Sequence, residues 1–216
     1  MEEENKPEDK KVEEKKNVAK KERIAIFIDG SNFYHSLKRL NIKIDFEKLI
    51  DILLRKRELV GVFYYTASLD IESNEKRYWE HQRFLEELEK IPQFNIVLCN
   101  LKRIKQKDGS FQYFIKGDDA RLIHDFIVGA YEDLYDKAII ISGDEDFAPM
   151  IATAQKKGKK IGNAHFYKDS SKTLRDSCDF TICLNKILNQ IKLTNKKGDP
   201  ALSKDHTGSV INNKSS

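Results

Sequence analysis

The stretch RIAIFIDGSN, residues 23–32, decides the fold class of this chain. It holds a short, uninterrupted apolar run that ends in Asp29 and Gly30. Such a run is too short for a typical helix and lacks the alternation of a half-exposed strand, so it predicts a strand buried on both faces. Strands of this kind occur in parallel sheets that are covered by helices on both sides. We therefore expect an α/β protein.

The rest of the chain alternates between strand and helix patterns. This alternation predicts right-handed βαβ crossovers and a mainly parallel sheet with helices on both faces. Residues 102–115 interrupt the alternation and predict a hairpin that turns at 107–110. We expect strands at 23–29, 59–67, 94–101, 138–141 and 160–166, and helices at 32–40, 45–57, 71–90, 118–134, 147–157 and 185–192.

The two ends of the chain differ in composition from its body. Residues 1–22 contain eight acids and seven lysines with very few apolar side chains, and residues 193–216 are rich in Ser, Asn, Lys and Gly. Segments that cannot bury apolar surface do not offset the entropy cost of ordering. We predict two disordered tails around one domain at 23–192, with a charged single helix as the alternative for the first tail.

The composition limits the functional classes. The 216 residues are 39% hydrophobic and 34% charged, with a formal net charge of +4, which allows a polyanionic partner. No apolar run is long enough for a membrane span, and the first residues do not resemble a secretory signal. Three cysteines, Cys99, Cys178 and Cys183, cannot all pair with one another, so we expect reduced thiols and a cytoplasmic protein.

Acidic residues follow the predicted strands at one edge of the sheet. Asp29 ends the first strand, Asp144 and Asp146 follow the strand at 138–141, and Asp118 and Asp119 follow the hairpin. In doubly wound sheets, ligands bind beyond the carboxyl ends of the strands. Clustered carboxylates repel one another unless a cation lies among them, and oxygen-rich sites favour Mg²⁺ or Mn²⁺. The scattered histidines and the absence of Cys-x-x-Cys pairs argue against zinc.

Each of these acids also has a structural explanation. Asp at a strand end or a helix start commonly caps the helix, because its carboxylate accepts backbone N–H groups. This explanation suits Asp118 and Asp119 best, at the start of a predicted helix. In a regular helix Asp125 shares a face with Asp118 and is turned by about 120° from Asp119. The sequence leaves open which of the three contacts a metal.

Three motifs together resemble a known family. IDGSN, KGDDARLIHD and SGDEDF, in this order and at these chain distances, resemble the LabA-like branch of the NYN domain family, within the PIN-like nuclease group. The resemblance covers about residues 23–184 and includes the closing segment SKTLRDSCDFTICL. It implies an α/β/α fold and an acidic pocket holding Mg²⁺ or Mn²⁺. It also implies cleavage of RNA phosphodiesters by metal-activated water, leaving a 5′-phosphate and a 3′-hydroxyl.

The resemblance assigns roles to particular residues. Asp125 matches an acid often found on its helix, and Asn32 matches a polar residue that orients the first acid or a phosphate. Asp118 stands where this branch usually carries an apolar residue, although other NYN nucleases have a double acid there. The implied catalytic and metal-binding residues are Asp29, Asp119, Asp144 and Asp146, with Asn32, Asp118 and Asp125 as accessory residues.

Basic residues indicate where RNA would bind. The predicted hairpin carries Lys102, Arg103 and Lys105, with aromatic residues on its return strand, and Lys116 directly precedes the acids. Lysine and arginine beside exposed aromatics suit single-stranded RNA, in which bases stack and phosphates pair with cations. The alternative is an ordinary solvated face with aromatics in the core.

Two functions of different classes follow. The first is a metal-dependent ribonuclease, and the second is a non-catalytic or weakly catalytic RNA- or protein-binding regulatory module on the same fold. The four acids favour the enzyme, because a pure binder does not need clustered carboxylates near phosphate. The sequence contains no dinucleotide or P-loop glycine motif. It leaves the oligomeric state open, with a homodimer allowed.

Overall fold

The computed structural model describes residues 21–72, 74–105 and 111–193, and of residues 101–105 and 111–116 only the backbone. Most of both predicted tails, residues 1–20 and 194–216, and the predicted hairpin turn at 107–110 therefore lie outside the described residues. In the part that is described, Glu22 accepts a hydrogen bond from Lys137 Nζ at 2.9 Å, and the Leu193 N–H donates to the Lys43 carbonyl at 3.0 Å.

A central sheet organises the described residues. Its strands lie in the order β4-β3-β2-β1-β5-β6-β7. Six of them run parallel, and β4 pairs antiparallel with β3 at one edge. The predicted mainly parallel sheet and the predicted hairpin are therefore confirmed. The strands are β1 Arg23–Asp29, β2 Glu58–Ala67, β3 Phe94–Lys105, β4 Phe111–Lys116, β5 Lys137–Ile141, β6 Lys160–His165 and β7 Phe180–Cys183.

The first strand lies at the centre of the fold. It pairs with β2 on one side and with β5 on the other, so that Ile26 lies opposite both Val62 and Ile139. Its alternating side chains enter two separate cores: Ile26 belongs to one and Phe27 to the other, and both are almost completely buried. Burial on both faces explains why this strand is an uninterrupted apolar run.

Helices cover each face of the sheet. Phe33 of α1, Leu49 of α2 and Leu85 of α3 pack in one core, together with α7. Phe126 of α4 and Ile151 of α5 pack in the other core, together with α6. This arrangement confirms the predicted three-layer α/β/α architecture. The helices are α1 Gly30–Leu40, α2 Phe46–Leu54, α3 Glu75–Glu89, α4 Asp118–Tyr131, α5 Ala148–Gln155, α6 Lys172–Ser177 and α7 Leu188–Ile191.

Two elements near the end of the fold were not predicted as separate elements. Helix α6 has six residues and strand β7 has four, so neither is long enough to show a clear hydrophobic period. The predicted final helix at 185–192 is instead a 3₁₀ turn, Leu184–Ile187, followed by the short α7. Helix α3 begins at Glu75, because Asn74 caps it by accepting the Arg77 N–H at 2.9 Å.

None of the helices in the described part of the chain is both long enough and apolar enough to cross a bilayer.

Candidate functional site

An open pocket lies beyond the carboxyl ends of the central strands. Its volume is about 270 Å³. Four of the predicted acids line it: Asp29 at the end of β1, Asp118 and Asp119 at the start of α4, and Asp144 after β5. The fold thus brings together carboxylates from three distant parts of the chain. The lining residues are Asp29, Ser31, Asn32, His35, Asp118, Asp119, Asp144 and Asp169.

Asp29 forms the buried floor of the pocket, with 7% of its surface exposed. One carboxylate oxygen accepts the Asn32 N–H at 3.0 Å, and the other accepts the Ser142 hydroxyl at 2.8 Å. Burial raises the pKa of Asp29, these two hydrogen bonds act in the opposite direction, and the charges of Asp118 and Asp144 raise it further. Asp29 therefore caps α1 and still contributes charge to the pocket.

The helix after Asp29 starts with no intervening loop, which requires a glycine. A Cβ on Gly30 would lie 2.4 Å from the Tyr65 carbonyl oxygen of the neighbouring strand. Only a residue without a side chain allows α1 to begin this close to β2. The Asp-Gly pair in the first motif thus sets where the first carboxylate lies.

The loop after β5 is held by side chains around Asp144. The Asp144 N–H donates to Ser142 Oγ at 3.1 Å, and the Gly143 N–H donates to the Asn32 side-chain oxygen at 3.1 Å. The Asp144 carboxylate accepts the Asp146 N–H at 3.0 Å and so caps a 3₁₀ turn. Asn32 thus joins the first motif to the third, which positions Asp29 and Asp144 relative to each other.

The double acid lies in the first turn of α4. The N-cap of this helix is Gly117, with a φ of 90°, and it has no side chain to act as a cap. Partial burial raises the pKa of Asp119 to about 6, and the charges of Asp118, Asp29, Asp144 and Asp146 add to this effect. Gly117 occupies the N-cap position of α4, so Asp118 and Asp119 do not have the capping role that the sequence suggested. The capping explanation does apply to Asp29, which caps α1, and to Asp144, which caps the 3₁₀ turn.

Two further predicted acids lie outside the pocket lining. Asp146 is exposed, and its charge acts on Asp119. Asp125 lies about 10 Å along α4 from Asp118, at a rise of about 1.5 Å per residue. Its carboxylate accepts hydrogen bonds from Arg121 Nε at 2.9 Å and from the Tyr65 hydroxyl at 3.2 Å. The structure therefore does not bring Asp125 into the pocket.

The predicted RNA-binding residues lie on the β3–β4 hairpin. Lys102 pairs with Phe114 in the backbone register, Arg103 and Lys105 follow on β3, and Lys116 ends β4 directly before Gly117. The side chains of these four residues lie outside the described part of the structure. The backbone alone places Lys116 at the entrance to the turn that carries the double acid.

The pocket also contains residues that sequence reasoning did not assign to it. Asp169 lines it from the segment that follows β6, and Ser142, the first polar residue after β5, donates to Asp29. Both residues follow the carboxyl ends of strands, where ligands bind in sheets of this type. The same reasoning that identified the other acids therefore applies to them. His35 of α1 lines the pocket too.

The donor atoms of the pocket are of the type that binds a divalent ion. The pocket offers carboxylate oxygens from several segments, which is the donor type that Mg²⁺ and Mn²⁺ prefer. Their mutual repulsion, seen in the raised pKa of Asp119, is the electrostatic condition that a cation relieves. Among the described residues, however, no three His, Cys, Asp or Glu side chains converge in a ready metal site. The donors thus fit such an ion in type, without a closed set of ligands.

Comparisons with known proteins identify the family and agree with the fold. The NYN domain family matches residues 23–185. The low amplitude and bright protein LabA of Synechococcus elongatus is 24% identical over 177 residues, which cover 81% of this chain and 90% of that protein. A Vibrio parahaemolyticus protein of unknown function has the same fold, with a TM-score of 0.59 and 24% identity over 82% of this chain and 99% of that one. The chain belongs to the NYN domain family, a family of PIN-like nuclease domains, in its LabA-like branch.

Proposed function

We propose that this protein is a ribonuclease that depends on Mg²⁺ or Mn²⁺ and hydrolyses phosphodiester bonds of single-stranded RNA. The observation that carries the proposal is the pocket at the carboxyl ends of the strands, which is lined by Asp29, Asp118, Asp119 and Asp144 from three segments of the chain. Carboxylates that are close enough to raise one another's pKa destabilise the fold unless a cation lies among them. The chain belongs to a family of nuclease domains, which supports a nuclease activity for such a pocket.

In this proposal, Asp29, Asp119, Asp144 and Asp146 hold the metal, and Asp118 offers an additional ligand. When bound, Mg²⁺ or Mn²⁺ supplies an activated water molecule and stabilises negative charge on the phosphoryl oxygens. The protein keeps the carboxylates in position: Ser142 and the Asn32 N–H fix Asp29, and the Asn32 side chain holds the loop of Asp144. Such preorganisation lets the charges act without rearranging during the reaction.

The substrate assignment is supported by the shape and charge of the site. The pocket is open, so it leaves room for a strand to pass over the carboxylates. Lys116, Lys102, Arg103 and Lys105 lie on the hairpin that leads into the double acid, and we assign them to phosphate contacts. By analogy with the family, the products carry a 5′-phosphate and a 3′-hydroxyl. We assign this activity to residues 23–192 without the tails.

Incubation of the full-length protein with labelled single-stranded RNA tests the proposal. Parallel reactions contain Mn²⁺, Mg²⁺ or EDTA, and the products are separated on a denaturing gel. The proposal expects cleavage with either metal and none with EDTA, and products that a 5′-phosphate-dependent exonuclease degrades. Asp133 is an exposed acid between α4 and β5, at the opposite ends of the strands, where it pairs with Arg23 at 3.0 Å. Asp133→Asn serves as the matched control and should cleave like the wild type. Cleavage that persists in EDTA would contradict the metal dependence.

A regulatory RNA- or protein-binding module is the second candidate. It is favoured by the hydrogen bonds of Asp29, because both of its carboxylate oxygens already accept protein donors. It is also favoured by the lack of a convergent metal-ligand group within the described side chains. The cleavage experiment separates the two candidates, since a module binds RNA or a protein without metal-dependent product formation.

A further inference from the structure

An arginine forms an ion pair with one of the residues that line the acidic pocket. The guanidinium of Arg39, in the last turn of α1, forms an ion pair with the Asp169 carboxylate. The hydroxyl of Ser36, which is completely buried, donates to the same carboxylate at 2.6 Å. Asp169 therefore has two donors from α1 while it lines the pocket.

The segment that carries Asp169 is fixed to the loop of Asp144. A Cβ on Gly143 would lie 1.3 Å from the Asp169 carbonyl oxygen, so the two backbones are in direct contact. The Ser171 N–H donates to the Gly143 carbonyl at 2.8 Å, and the Ser171 hydroxyl donates to Glu145 at 3.1 Å. The segment that carries Asp169, the partner of Arg39, is therefore fixed relative to the loop that carries Asp144.

Arg39 keeps donors for a second partner. A guanidinium carries five N–H donors, of which one carboxylate uses at most two. The side chain of Arg39 is 43% exposed, whereas that of Asp169 is 17% exposed. Arg39 also lies one helical turn beyond His35, which lines the pocket. The exposed donors of Arg39 are thus linked to the carboxylate pocket through Asp169, which lines it.

If RNA is the substrate, cationic side chains are needed close to the acidic pocket. A pocket lined by five aspartates repels a phosphate backbone, and the net charge of +4 over the whole chain is too small to overcome this repulsion at a distance. Local cations must therefore hold the strand on either side of the carboxylates. An arginine that is preorganised by a carboxylate is the residue best suited to bind a phosphate in two-point geometry.

We propose that Arg39 binds a backbone phosphate of single-stranded RNA beside the acidic pocket, and that Asp169 and Ser36 are positioning residues that hold its guanidinium there. The inference rests on the proposed ribonuclease function, because it takes RNA as the ligand. The sequence assigned RNA contacts to the hairpin, on the β4 side of the pocket, whereas Arg39 lies on the α1 side. A strand that contacts both would cross the carboxylates between them.

The test measures the salt dependence of binding. A short fluorescein-labelled single-stranded RNA is titrated with wild type, Arg39→Gln and Arg39→Lys in EDTA, over a series of salt concentrations. Glutamine keeps a donor for Asp169 but removes the charge, and lysine keeps the charge. If Arg39→Gln loses one phosphate contact, the negative slope of log K against log salt becomes shallower by about 0.7. The affinity at about 0.1 M salt then falls by about fivefold. Arg39→Lys should retain the slope.

A matched control and a stability measurement exclude simpler explanations. Lys90→Gln removes one charge from an exposed ion pair with Glu87 at the end of α3, and it should leave the slope unchanged. Thermal midpoints show whether each variant is folded. A slope for Arg39→Gln equal to that of the wild type, with or without a lower midpoint, would overturn the inference and leave a structural ion pair. Wild type that binds no RNA would overturn it as well.

The failure of this inference is distinguishable from that of the proposed function. Binding is read in EDTA, and cleavage is read separately with Mn²⁺. An altered slope without any metal-dependent cleavage would contradict the ribonuclease proposal and support Arg39 as a phosphate ligand in a binding module. Metal-dependent cleavage with an unchanged slope would support the ribonuclease and remove Arg39 from its binding surface.

Discussion

Acidic residues have opposite surroundings at the two ends of the parallel strands, which are called here the amino edge and the carboxyl edge of the sheet. At the amino ends of β1 and β5, Asp136 accepts the Arg23 N–H at 2.9 Å and its guanidinium at 2.7 Å, and Glu22 accepts Lys137 Nζ at 2.9 Å. The Arg23 side chain lowers the pKa of Asp136 to about 2. At the carboxyl ends, burial and neighbouring carboxylates raise the pKa of Asp29 and Asp119.

These opposite pKa shifts show that acids at the two ends of the strands have opposite effects on stability. An acid paired with a cation stabilises the fold, and its charge is neutralised where it lies. Acids grouped with other acids cost stability and persist when they bind something positive. With the proposed function, the acids at the amino ends of the strands contribute stability and those at the carboxyl ends contribute chemistry, so substitutions at the two ends should have separable effects.

The largest expected effect is on catalysis at the carboxyl edge. Asp119→Asn removes one charge from the pocket and nearly keeps the shape of the side chain. Removal of one preorganised electrostatic group typically lowers the rate by about 10²–10³-fold. Single-turnover cleavage of labelled RNA with Mn²⁺ measures the loss, and Asp133→Asn at the amino edge is the control. An equal loss in both variants would show that the two edges do not differ in function.

The next effect is on metal binding. A ligand that binds only the folded state, at about ten times its Kd, stabilises that state by about 1.4 kcal/mol. Mg²⁺ or Mn²⁺ should therefore raise the thermal midpoint of the wild type, and Asp144→Asn should lose most of this gain. Asp136→Asn, the matched change at the amino edge, should keep it. A midpoint shift of equal size in wild type and Asp144→Asn would place the metal elsewhere.

A smaller effect is expected on stability at the amino edge. Asp136→Asn weakens the hydrogen bonds from Arg23, and the expected cost is about 1 kcal/mol, because the partly exposed pair is screened by solvent. Since the pKa of Asp136 is lowered, its contribution is present above about pH 4 and disappears as the pH falls towards about 2. Urea unfolding of wild type and variant between neutral and acidic pH measures both features. Cleavage should stay at the wild-type rate.

The smallest expected effect is a gain in stability, on substitution of Asp119 at the carboxyl edge. Because the pKa of Asp119 is raised to about 6, its charge opposes folding, and this cost appears as the pH rises from about 4 to 6. In EDTA, Asp119→Asn should be more stable than the wild type at pH 7, by less than about 1 kcal/mol since the group is exposed. The advantage should vanish towards about pH 4. Urea unfolding at both pH values checks it, and a variant that is less stable at pH 7 would contradict this sign.

Much of the fold and part of the candidate site were predictable from local sequence. The apolar run before Asp29 and the one before Asp144 are buried strands, and their carboxyl ends must meet in a parallel sheet. Asp169 follows β6, so the rule of acids beyond strand ends applies to it as well. Its hydrogen bond with Ser36, 133 residues away in the chain, could not be predicted, because no local pattern joins the two. The sequence motif also suggested Asp125, whose carboxylate is held away from the pocket by Arg121 and Tyr65.

The most direct test of the central claim is a paired measurement on wild type and Asp29→Asn: the cleavage rate of single-stranded RNA with Mn²⁺ and the thermal midpoint in EDTA. The account predicts that the variant loses about 10²–10³-fold in rate. It also predicts that the midpoint changes little, because asparagine can still accept the Asn32 N–H and one repulsive charge leaves the pocket. A purely structural cap behaves in the opposite way, with a loss of about 1 kcal/mol in stability. A lower midpoint with an unchanged cleavage rate per folded molecule would contradict the account.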